Sequence, residues 1–192
     1  YWTLSLNSWQ QTVSTKCNID RVSYWYIIPE GLKCENLYHL SSNRFEKNFV
    51  IDKISHPTYF NHIENVSQIV ASDVFSNPTT KELCNEYAPK NKVKSLLDTP
   101  IFINGKLLGI LCFETVEETR EWDNEDINFS RSIADLIGIA TETQARIVLE
   151  QKLTYEKDIL FEIVKNSEGF LQSKDNDEII KNILGSIGKV TN

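Results

Sequence analysis

Two apolar runs, at residues 93–103 and 106–116, flank the dipeptide Asn104-Gly105. Asn-Gly is the preferred centre of a two-residue hairpin turn, because both central residues of a type I′ turn need positive φ angles. Apolar runs that are bounded by turn-forming residues are typical of strands. The sequence therefore predicts an antiparallel hairpin here, and any fold for this chain must contain it.

An amphipathic helical pattern occupies the start of the chain, over residues 1–17. Trp2, Leu6, Trp9 and Val13 are four, three and four residues apart, which places them on one face of a helix. We therefore expect this helix to pack against the body of the domain.

Two strands are predicted next, over residues 21–28 and 32–40, with a turn at Pro29–Gly31. Both segments are rich in β-branched and aromatic side chains, which suit a pleated, half-buried surface. Successive side chains of a strand point to opposite faces, and the simplest role for Trp25 is in the core.

The segment from 41 to 92, called the insert below, is less regular. It contains a candidate short strand within 49–54, a candidate helix over 57–66 with proline at its first turn, and a candidate buried strand at 68–71. The insert is thus predicted to connect the two hairpins through several short elements.

A further helix is predicted in the second half of the insert. Asn77 is a suitable N-cap, and Pro78 suits the first helical position. We expect this helix to run to about Tyr87 and to end before Pro89.

A long helix is predicted to begin at Asp123 or Asn124. Glu125 and Asp126 would lie in its first turn, where negative charge favours the helix dipole. The apolar residues that would pack it on a sheet are Phe129, Ile133, Leu136, Ile137 and Ala140.

Helical propensity continues without a strong break to about residue 166. Leu153, Leu160 and Ile163 are close to heptad spacing, although Glu156 interrupts the seam. A coiled coil and a solvent-exposed linker helix both fit this pattern.

We divide the chain into a domain at 1–148, a helical linker at 149–167 and the start of a truncated following domain at 168–192. The last segment contains a helical stretch, 177–190, that resembles the opening helix but lacks the strand after it. Since the sequence contains no methionine, we also expect it to be a piece of a longer protein.

Composition excludes several classes of function. The formal net charge of −7 argues against a nucleic-acid surface, which needs clustered Lys and Arg. No apolar run approaches the roughly 20 residues that a membrane helix requires, so direct membrane insertion is not expected. The four cysteines and three histidines are not at the spacing of zinc ligands, and reduced thiols in a cytoplasmic protein are the expected state.

Several short motifs, in this order and at these spacings, resemble the GAF domains of bacterial sensor histidine kinases and related signalling proteins. They are Asp20–Trp25, His56–Phe60, Ile69–Asp73, Asn77–Thr80, Ser95–Ile101, Gly109–Glu114 and Arg120–Trp122.

The resemblance implies an α+β fold of the GAF-like, profilin-like type, with a central antiparallel sheet of five or six strands and helices on both faces. The first and last helices would cover one face of the sheet, and the insert would cover the other. The long linker helix would follow. The family's ligand pocket would then lie between the sheet and the insert.

Polar side chains from the elements around this pocket are the candidate ligand-binding residues. Convergent polar groups in a mostly apolar cavity are what small-molecule sites need. The candidates are Tyr59, Asp73, Cys84, Tyr87, Ser95, Cys112 and Glu114. No catalytic or metal-binding residue is predicted.

Structural roles compete with ligand binding at several positions. Glu114 could pair with Arg120 instead of a ligand, and Asp98 could pair with Arg21 inside the sheet. Trp122 is expected to plug the space under the start of the long helix.

The ligand and any cofactor stay unknown at this stage. Cys84 lies near the position where bilin-binding relatives attach their chromophore, but Asn85 rather than histidine follows it, so a covalent bilin is not expected. The residue pattern of cyclic-nucleotide-binding GAF domains cannot be placed, and no axial haem ligand stands out.

The predicted function is that of a non-catalytic sensory domain in a signalling protein, such as a histidine kinase or a cyclic-di-GMP enzyme. It would bind a small molecule or partner, dimerise through its terminal helices and relay to an output domain in the parent chain. The alternatives are a structural dimerisation module with a vestigial pocket and, more remotely, a cysteine-dependent methionine sulfoxide reductase.

Overall fold

The computed structural model describes residues 2–65 and 68–172, together with residues 181, 184 and 185. The chain divides into two compact units, Tyr1–Ala140 and Thr141–Asn192. The elements in chain order are α1 (Trp2–Cys17), β1 (Arg21–Ile28), β2 (Gly31–His39), β3 (Arg44–Glu46), β4 (Val50–Asp52), α2 (Pro57–Glu64), β5 (Ile69–Ala71), a 3₁₀ turn (Leu83–Asn85), α3 (Tyr87–Asn91), β6 (Val93–Ile103), β7 (Lys106–Val116) and α4 (Asn124–Gln172).

The strands form one sheet in the order β3-β2-β1-β7-β6-β5, and β4 pairs with the other end of β2. Every pairing is antiparallel. The α+β antiparallel prediction is confirmed, and each predicted strand is present. The sheet has one strand more than the five or six predicted, because the three-residue β3 adds to the edge of β2.

The β6–β7 hairpin turns at Asn104-Gly105, as the dipeptide predicts. Asn104 has a φ of 50° and Gly105 a φ of 74°, so both central residues are left-handed, as a type I′ turn requires. The turn therefore joins the two longest strands, of 11 residues each.

The α1 and α4 helices cover one face of the sheet, as predicted. The core on this face, the terminal-helix core, contains Val13, Ile19, Val22, Leu97, Ile101, Leu111, Phe113, Trp122, Ala134 and Ile137. Trp122 is 6% exposed and donates a hydrogen bond from Nε1 to the Ala71 carbonyl, so its predicted role as a plug is confirmed.

The insert covers the opposite face and forms a second core with it. This insert core includes Trp25, Leu32, Cys34, Tyr59, Phe60, Ile63, Val74, Leu83, Leu96, Ile110 and Cys112. Leu96 and Leu97 are neighbours in β6 but belong to different cores, because alternate side chains of a strand point to opposite faces. Trp25 lies in this core, as predicted.

The start of α4 matches its prediction, but its buried stripe does not. Asp123 caps the helix by accepting a hydrogen bond from the Asp126 amide at 2.8 Å. Two residues of the predicted stripe, Phe129 and Leu136, are exposed by 41% and 65%.

The buried face of α4 is rotated relative to the predicted apolar stripe, because a polar residue of the helix contacts the sheet. Ser130 is fully buried, and its hydroxyl lies 2.9 Å from Thr99 Oγ1 and 3.0 Å from Gln68 Nε2. Ala134 and Ile137 follow at helical spacing and are buried with it. The apolar pattern alone missed this polar position.

The helix predicted from Pro78 to about Tyr87 is wrong. Turns occupy this stretch before the 3₁₀ turn at Leu83–Asn85, and α3 begins only at Tyr87. Side chains hold the turns in place: Thr80 Oγ1 donates to the Val74 carbonyl at 2.7 Å.

Glu82 also lies in a turn and not in the predicted helix. Its carboxylate accepts hydrogen bonds from the Thr58 amide at the start of α2. Pro89 is the third residue of α3 and does not end the helix. A proline is tolerated there because the first amides of a helix have no intrahelical acceptor, so its missing N–H costs no helical hydrogen bond.

The second unit contains the later part of α4. Its predicted seam residues Leu153, Leu160 and Ile163 are exposed by 55%, 62% and 41%. The helical stretch predicted at 177–190 lies outside the described residues, apart from 181, 184 and 185. Among the described helices, none combines the length and apolar character needed to cross a membrane.

Replacement of Gly109 by alanine should destabilise the sheet. A Cβ at this position would lie 2.1 Å from the Trp25 carbonyl oxygen, which is backbone of the paired strand and cannot move aside. We expect Gly109→Ala to lower the free energy of unfolding by at least about 2 kcal/mol in urea denaturation.

Gly138→Ala is the matched control for this prediction. Its new Cβ would meet the Phe102 carbonyl oxygen at 3.4 Å, close to ordinary contact, and alanine favours a helix over glycine by up to about 1 kcal/mol. We expect no loss of stability, and equal losses in the two variants would contradict the close approach described for β1 and β7.

Candidate functional site

A small internal cavity lies between the sheet and the insert, where the sequence placed the pocket. Its volume is about 10 Å³, which is close to the minimum that one water molecule requires. Its lining combines apolar side chains with five polar groups. The lining residues are Trp25, Leu32, Ile51, Tyr59, Leu83, Tyr87, Leu96, Asp98, Cys112 and Glu114.

A buried ion pair lies beside this cavity on the side of α3, and its Glu114 belongs to the lining. Arg21 Nε lies 3.2 Å from Glu114 Oε2, and both side chains are almost fully buried. The two residues face each other across β1 and β7. Such a pair needs further hydrogen bonds to offset the loss of hydration of its charges.

Tyr87 and Asn91 of α3 supply those hydrogen bonds. The Tyr87 hydroxyl donates to Glu114 Oε1 at 2.8 Å and accepts from Arg21 Nη2 at 3.4 Å. Arg21 Nη1 donates to the Asn91 carbonyl at 3.2 Å. The ion pair therefore anchors α3 to the sheet.

The opposite wall carries a second polar group, built around Asp98. The Tyr59 hydroxyl of α2 donates to Asp98 Oδ2 at 2.5 Å, and Cys112 lies directly across from Asp98 in the β6–β7 ladder. Burial raises the pKa of Asp98 to about 7, although its hydrogen bonds with Cys112 and Tyr59 oppose that shift. Burial and the Asp98 charge hold the pKa of Tyr59 and Cys112 well above their usual values.

One oxygen of this buried carboxylate is left unsatisfied. Asp98 is 3% exposed, and within the described part of the chain no group meets the geometry of a hydrogen bond to its Oδ1. An unsatisfied buried acceptor costs free energy, so this atom is a natural point of attachment for a water molecule or a ligand with a hydrogen-bond donor.

The structure corrects both ion pairs that the sequence suggested. Glu114 pairs with Arg21, not with Arg120, whose guanidinium instead binds Asp126 at 2.8 Å. Asp98 does not pair with Arg21, because it lies opposite Cys112 while Arg21 lies opposite Glu114.

Four of the seven predicted ligand-binding residues line the cavity together: Tyr59, Tyr87, Cys112 and Glu114. Ligand binding by these four stays a prediction. For Asp98 the sequence favoured a structural pairing over ligand binding, although its Oδ1 has no hydrogen-bond partner among the described residues.

The other three predicted residues are not in the cavity lining. Asp73 Oδ1 accepts from the Phe75 amide in a local turn, and Ser95 Oγ donates to the Ser72 carbonyl while it accepts from the Arg120 amide. The Cys84 thiol donates to the Val74 carbonyl at 3.1 Å. All three stabilise the loops around the site.

A shallow outer cleft of about 200 Å³ lies next to the cavity, between β4 and α3. Two residues, Ile51 and Tyr87, line both spaces. The other residues of the outer cleft are Phe49, Val50, Asp52, His56, Glu86, Lys90 and Asn91. Within the described residues, no group of three or more His, Cys, Asp or Glu side chains is placed to hold a metal ion.

Comparison with known sequences identifies the family. The sequence model of the GAF domain family matches residues 9–141. The chain belongs to the GAF domain family. No curated protein matches its sequence.

Solved structures share the fold of this GAF domain at low sequence identity. The blue-light absorbing form of the PixJ GAF domain from Thermosynechococcus elongatus matches with a TM-score of 0.62 and 18% identity, over 77% of this chain and 90% of that chain. GAF3 of Slr1393 from Synechocystis sp. PCC6803, in its photoproduct state, gives a TM-score of 0.61 and 17% identity, over 77% and 97%.

A third similar structure comes from Sinorhizobium meliloti 1021, and its parent protein is described as a two-component sensor histidine kinase. The TM-score is 0.58 at 15% identity, over 77% of this chain and 95% of that chain. GAF domains are generally regulatory or sensory modules, so membership of the family supports a sensory role in signalling.

The surroundings of Cys84 and Cys112 in this GAF domain bear on the reductase alternative. A nucleophilic cysteine needs a lowered pKa, whereas burial raises the pKa of Cys84 and raises that of Cys112 well above its usual value. The reductase alternative therefore gains no support from the structure.

The raised pKa of Asp98 predicts a pH-dependent stability. An unfolded aspartate releases its proton near pH 4, whereas folded Asp98 keeps it to about pH 7. The folded state thus holds the extra proton between these values, and its stability should fall as pH rises through this window and level off above it. The slope from this residue is at most about 1.4 kcal/mol per pH unit.

Asp98→Asn should remove this contribution. Urea unfolding from about pH 4.5 to about pH 8 should show the variant gaining stability relative to the wild type as pH rises, because asparagine has no proton to lose. Asp135→Asn, at an exposed position on α4, is the matched control and should leave the profile unchanged. Parallel profiles for wild type and Asp98→Asn would show that Asp98 titrates normally.

Proposed function

We propose that this chain is the ligand-sensing module of a signalling protein, such as a histidine kinase or a cyclic-di-GMP enzyme. In this proposal a small molecule binds between the sheet and the insert, and the terminal helices relay its presence to an output domain of the parent chain. The site of action is cytoplasmic, and the module works as a homodimer.

The observation that carries the ligand-binding part is the unsatisfied Asp98 carboxylate. Its Oδ1 has no hydrogen-bond partner of regular geometry among the described residues, while its Oδ2 accepts from the Tyr59 hydroxyl. A packing core would be more stable with an apolar side chain at this position, since a buried polar group without a partner is unfavourable. A ligand with a hydrogen-bond donor would satisfy it.

The volume of the cavity favours a second candidate, a dimerisation module with a vestigial pocket. Sites for drug-sized ligands have volumes of about 300–1,000 Å³, whereas this cavity holds about 10 Å³. Tyr59, Tyr87 and Leu83 are among the side chains that close around it. The sensory proposal therefore requires a rearrangement of the lining when the ligand binds.

The same comparison argues against a bound bilin. A tetrapyrrole is a drug-sized ligand or larger, and the cavity could hold one only after the insert moved away from the sheet. Cys84, the candidate attachment residue, lies outside the lining and is hydrogen-bonded to the Val74 carbonyl. We therefore propose a smaller ligand.

The relay would use α4, which extends from Asn124 to Gln172. A ligand changes the output only if it binds two arrangements of the module with different affinity, because equal affinity shifts no equilibrium. The exposed apolar residues of the second unit, including Leu149, Leu153 and Leu160, give α4 a surface that a second copy could cover.

A ligand screen tests the binding site. At about 100 times its Kd, a ligand that binds only the folded state adds about 2.7 kcal/mol of stability. We expect at least one compound from a panel of nucleotides, amines and small metabolites to raise the melting temperature of the wild type and to do so less for Asp98→Asn.

The variant separates site binding from general stabilisation. A compound that stabilises both proteins equally acts elsewhere, and Asp135→Asn serves again as the control that should respond like the wild type. If no compound of the panel stabilises the wild type, the vestigial-pocket alternative is the better description.

Sedimentation of the full 192-residue chain tests the dimer. Leu153→Glu places a charge on the exposed apolar surface of α4, so we expect it to raise the dimer dissociation constant at least about tenfold, equivalent to about 1.4 kcal/mol. Gln151→Glu adds the same charge about 200° around the helix and should have little effect. A wild type that sediments as a monomer would remove dimerisation from the proposal.

A further inference from the structure

The wall between the internal cavity and the outer cleft consists of the two residues that line both spaces, Ile51 and Tyr87. Ile51 is 7% exposed and belongs to β4, where its partner in the ladder with β2 is Leu32. Tyr87 belongs to the five-residue helix α3 and is partly exposed. Ile51 therefore lies in a paired strand of the sheet, whereas Tyr87 lies in a short helix outside the sheet and reaches solvent.

The side chain of Tyr87 spans the wall from solvent to the buried charges. Its ring packs edge-on against Trp25, with 6.0 Å between ring centroids, while its hydroxyl reaches Glu114 Oε1 at 2.8 Å. Rotation of this side chain into the outer cleft would join the cleft to the cavity. It would also leave Glu114 Oε1 without the hydrogen bond that Tyr87 now donates.

We propose that Tyr87 is the gate of the site: a small molecule enters from the outer cleft, displaces the tyrosine and donates its own hydrogen bond to Glu114. The inference rests on the proposed binding function and specifies how the closed cavity becomes accessible. It also specifies the ligand chemistry, a compact molecule with a hydroxyl or ammonium donor. Such a molecule would have two acceptors available, Glu114 Oε1 and the unsatisfied Asp98 Oδ1.

Thiol labelling measures the opening of the gate without any ligand. Cys112 lines the cavity, whereas Cys34 is also buried in the insert core but does not line it. Methyl methanethiosulfonate, a small neutral reagent, should therefore reach Cys112 when the gate opens and Cys34 only when the domain unfolds. Peptide mass spectrometry gives the rate at each cysteine in the same sample.

The ratio of the two labelling rates is the readout. We expect Tyr87→Ala to raise the Cys112 to Cys34 ratio at least about tenfold, because reaction at a buried site is limited by the population of the open state. Leu83→Ala is the matched control: it enlarges the cavity from a position that does not line the cleft, so the ratio should stay near that of the wild type.

Two results would overturn the gate. Equal acceleration by Leu83→Ala and Tyr87→Ala would mean that loss of packing, not removal of the gate, exposes Cys112. Identical changes at Cys112 and Cys34 in every variant would mean that only global unfolding exposes them. Because the ratio compares two sites in one molecule, a general loss of stability in Tyr87→Ala does not imitate opening.

A second measurement tests the donor chemistry. Tyr87→Ala removes a phenol group, so phenol should fill the vacated space and donate to Glu114, whereas benzene fills the space without a donor. We expect phenol to raise the melting temperature of Tyr87→Ala more than benzene does, and more than it raises that of the wild type, where Tyr87 already fills the space. Equal effects of the two compounds would refute the role of Glu114.

These measurements separate the gate from the proposed function. If labelling supports the gate while the ligand screen of the wild type fails, the cavity opens but serves no ligand of that panel. If a ligand is found while labelling shows no opening at Tyr87, the ligand enters elsewhere and the gate is wrong.

Discussion

The buried pair of Arg21 and Glu114 is the interaction on which the site depends. It joins β1 to β7 in the middle of the sheet and, through Tyr87 and the Asn91 carbonyl, it joins both strands to α3. Breaking a buried pair by removing one partner typically costs about 3–5 kcal/mol, because the remaining charge has no compensation. The position of α3, and with it the closure of the cavity, therefore follows from where these two charges lie rather than from the helical propensity of a five-residue segment.

The faces of the strands could be predicted from the sequence, but the partners across the strands could not. Counted from the turn, Ile103 pairs with Lys106, and an unbroken ladder would set Asp98 opposite Leu111. A bulge between Ile101 and Phe102 shifts the register by one residue and sets Asp98 opposite Cys112 instead. Since a shift of one residue exchanges the two faces, this bulge is what brings Asp98 into the same cavity as Glu114. No local signal in the sequence marks it. The pairing of Asp98 with Arg21 was wrong because β7 lies between their strands and Arg21 lies opposite Glu114, two residues along β7 from the partner of Asp98.

The insert shows a different limit of prediction from sequence. The short helix α2 was recognised because Pro57 marks its first turn, whereas the second predicted helix, from Pro78, does not form. Side chains from that stretch bind backbone outside it: Thr80 binds the Val74 carbonyl six residues earlier, and Glu82 binds the amides at the start of α2. These contacts give the local backbone an alternative to helical hydrogen bonds, and those of Glu82 exist only once the two parts of the insert have come together. Four of the seven candidate site residues lie in the cavity because strand alternation placed the two on β7 and the insert supplied the two tyrosines.

The small volume of the cavity favours a vestigial pocket, whereas its polar lining favours a binding site. The energetic cost of burying those polar groups makes the lining the better guide to function. A domain that used this space only for packing would gain stability from an apolar residue at position 98, because replacement of buried polar groups by apolar ones of similar shape is often neutral or stabilising. Instead the chain keeps a second buried carboxylate, Asp98, beside the Arg21–Glu114 pair. Its Oδ1 has no hydrogen-bond partner among the described residues, and burial raises its pKa to about 7. Polar groups held in an unfavourable environment are common at functional sites, where a bound molecule relieves the penalty. In the proposed function, the closed arrangement would be one of two states of the domain, and relief of that penalty would be the free energy by which a ligand favours the other.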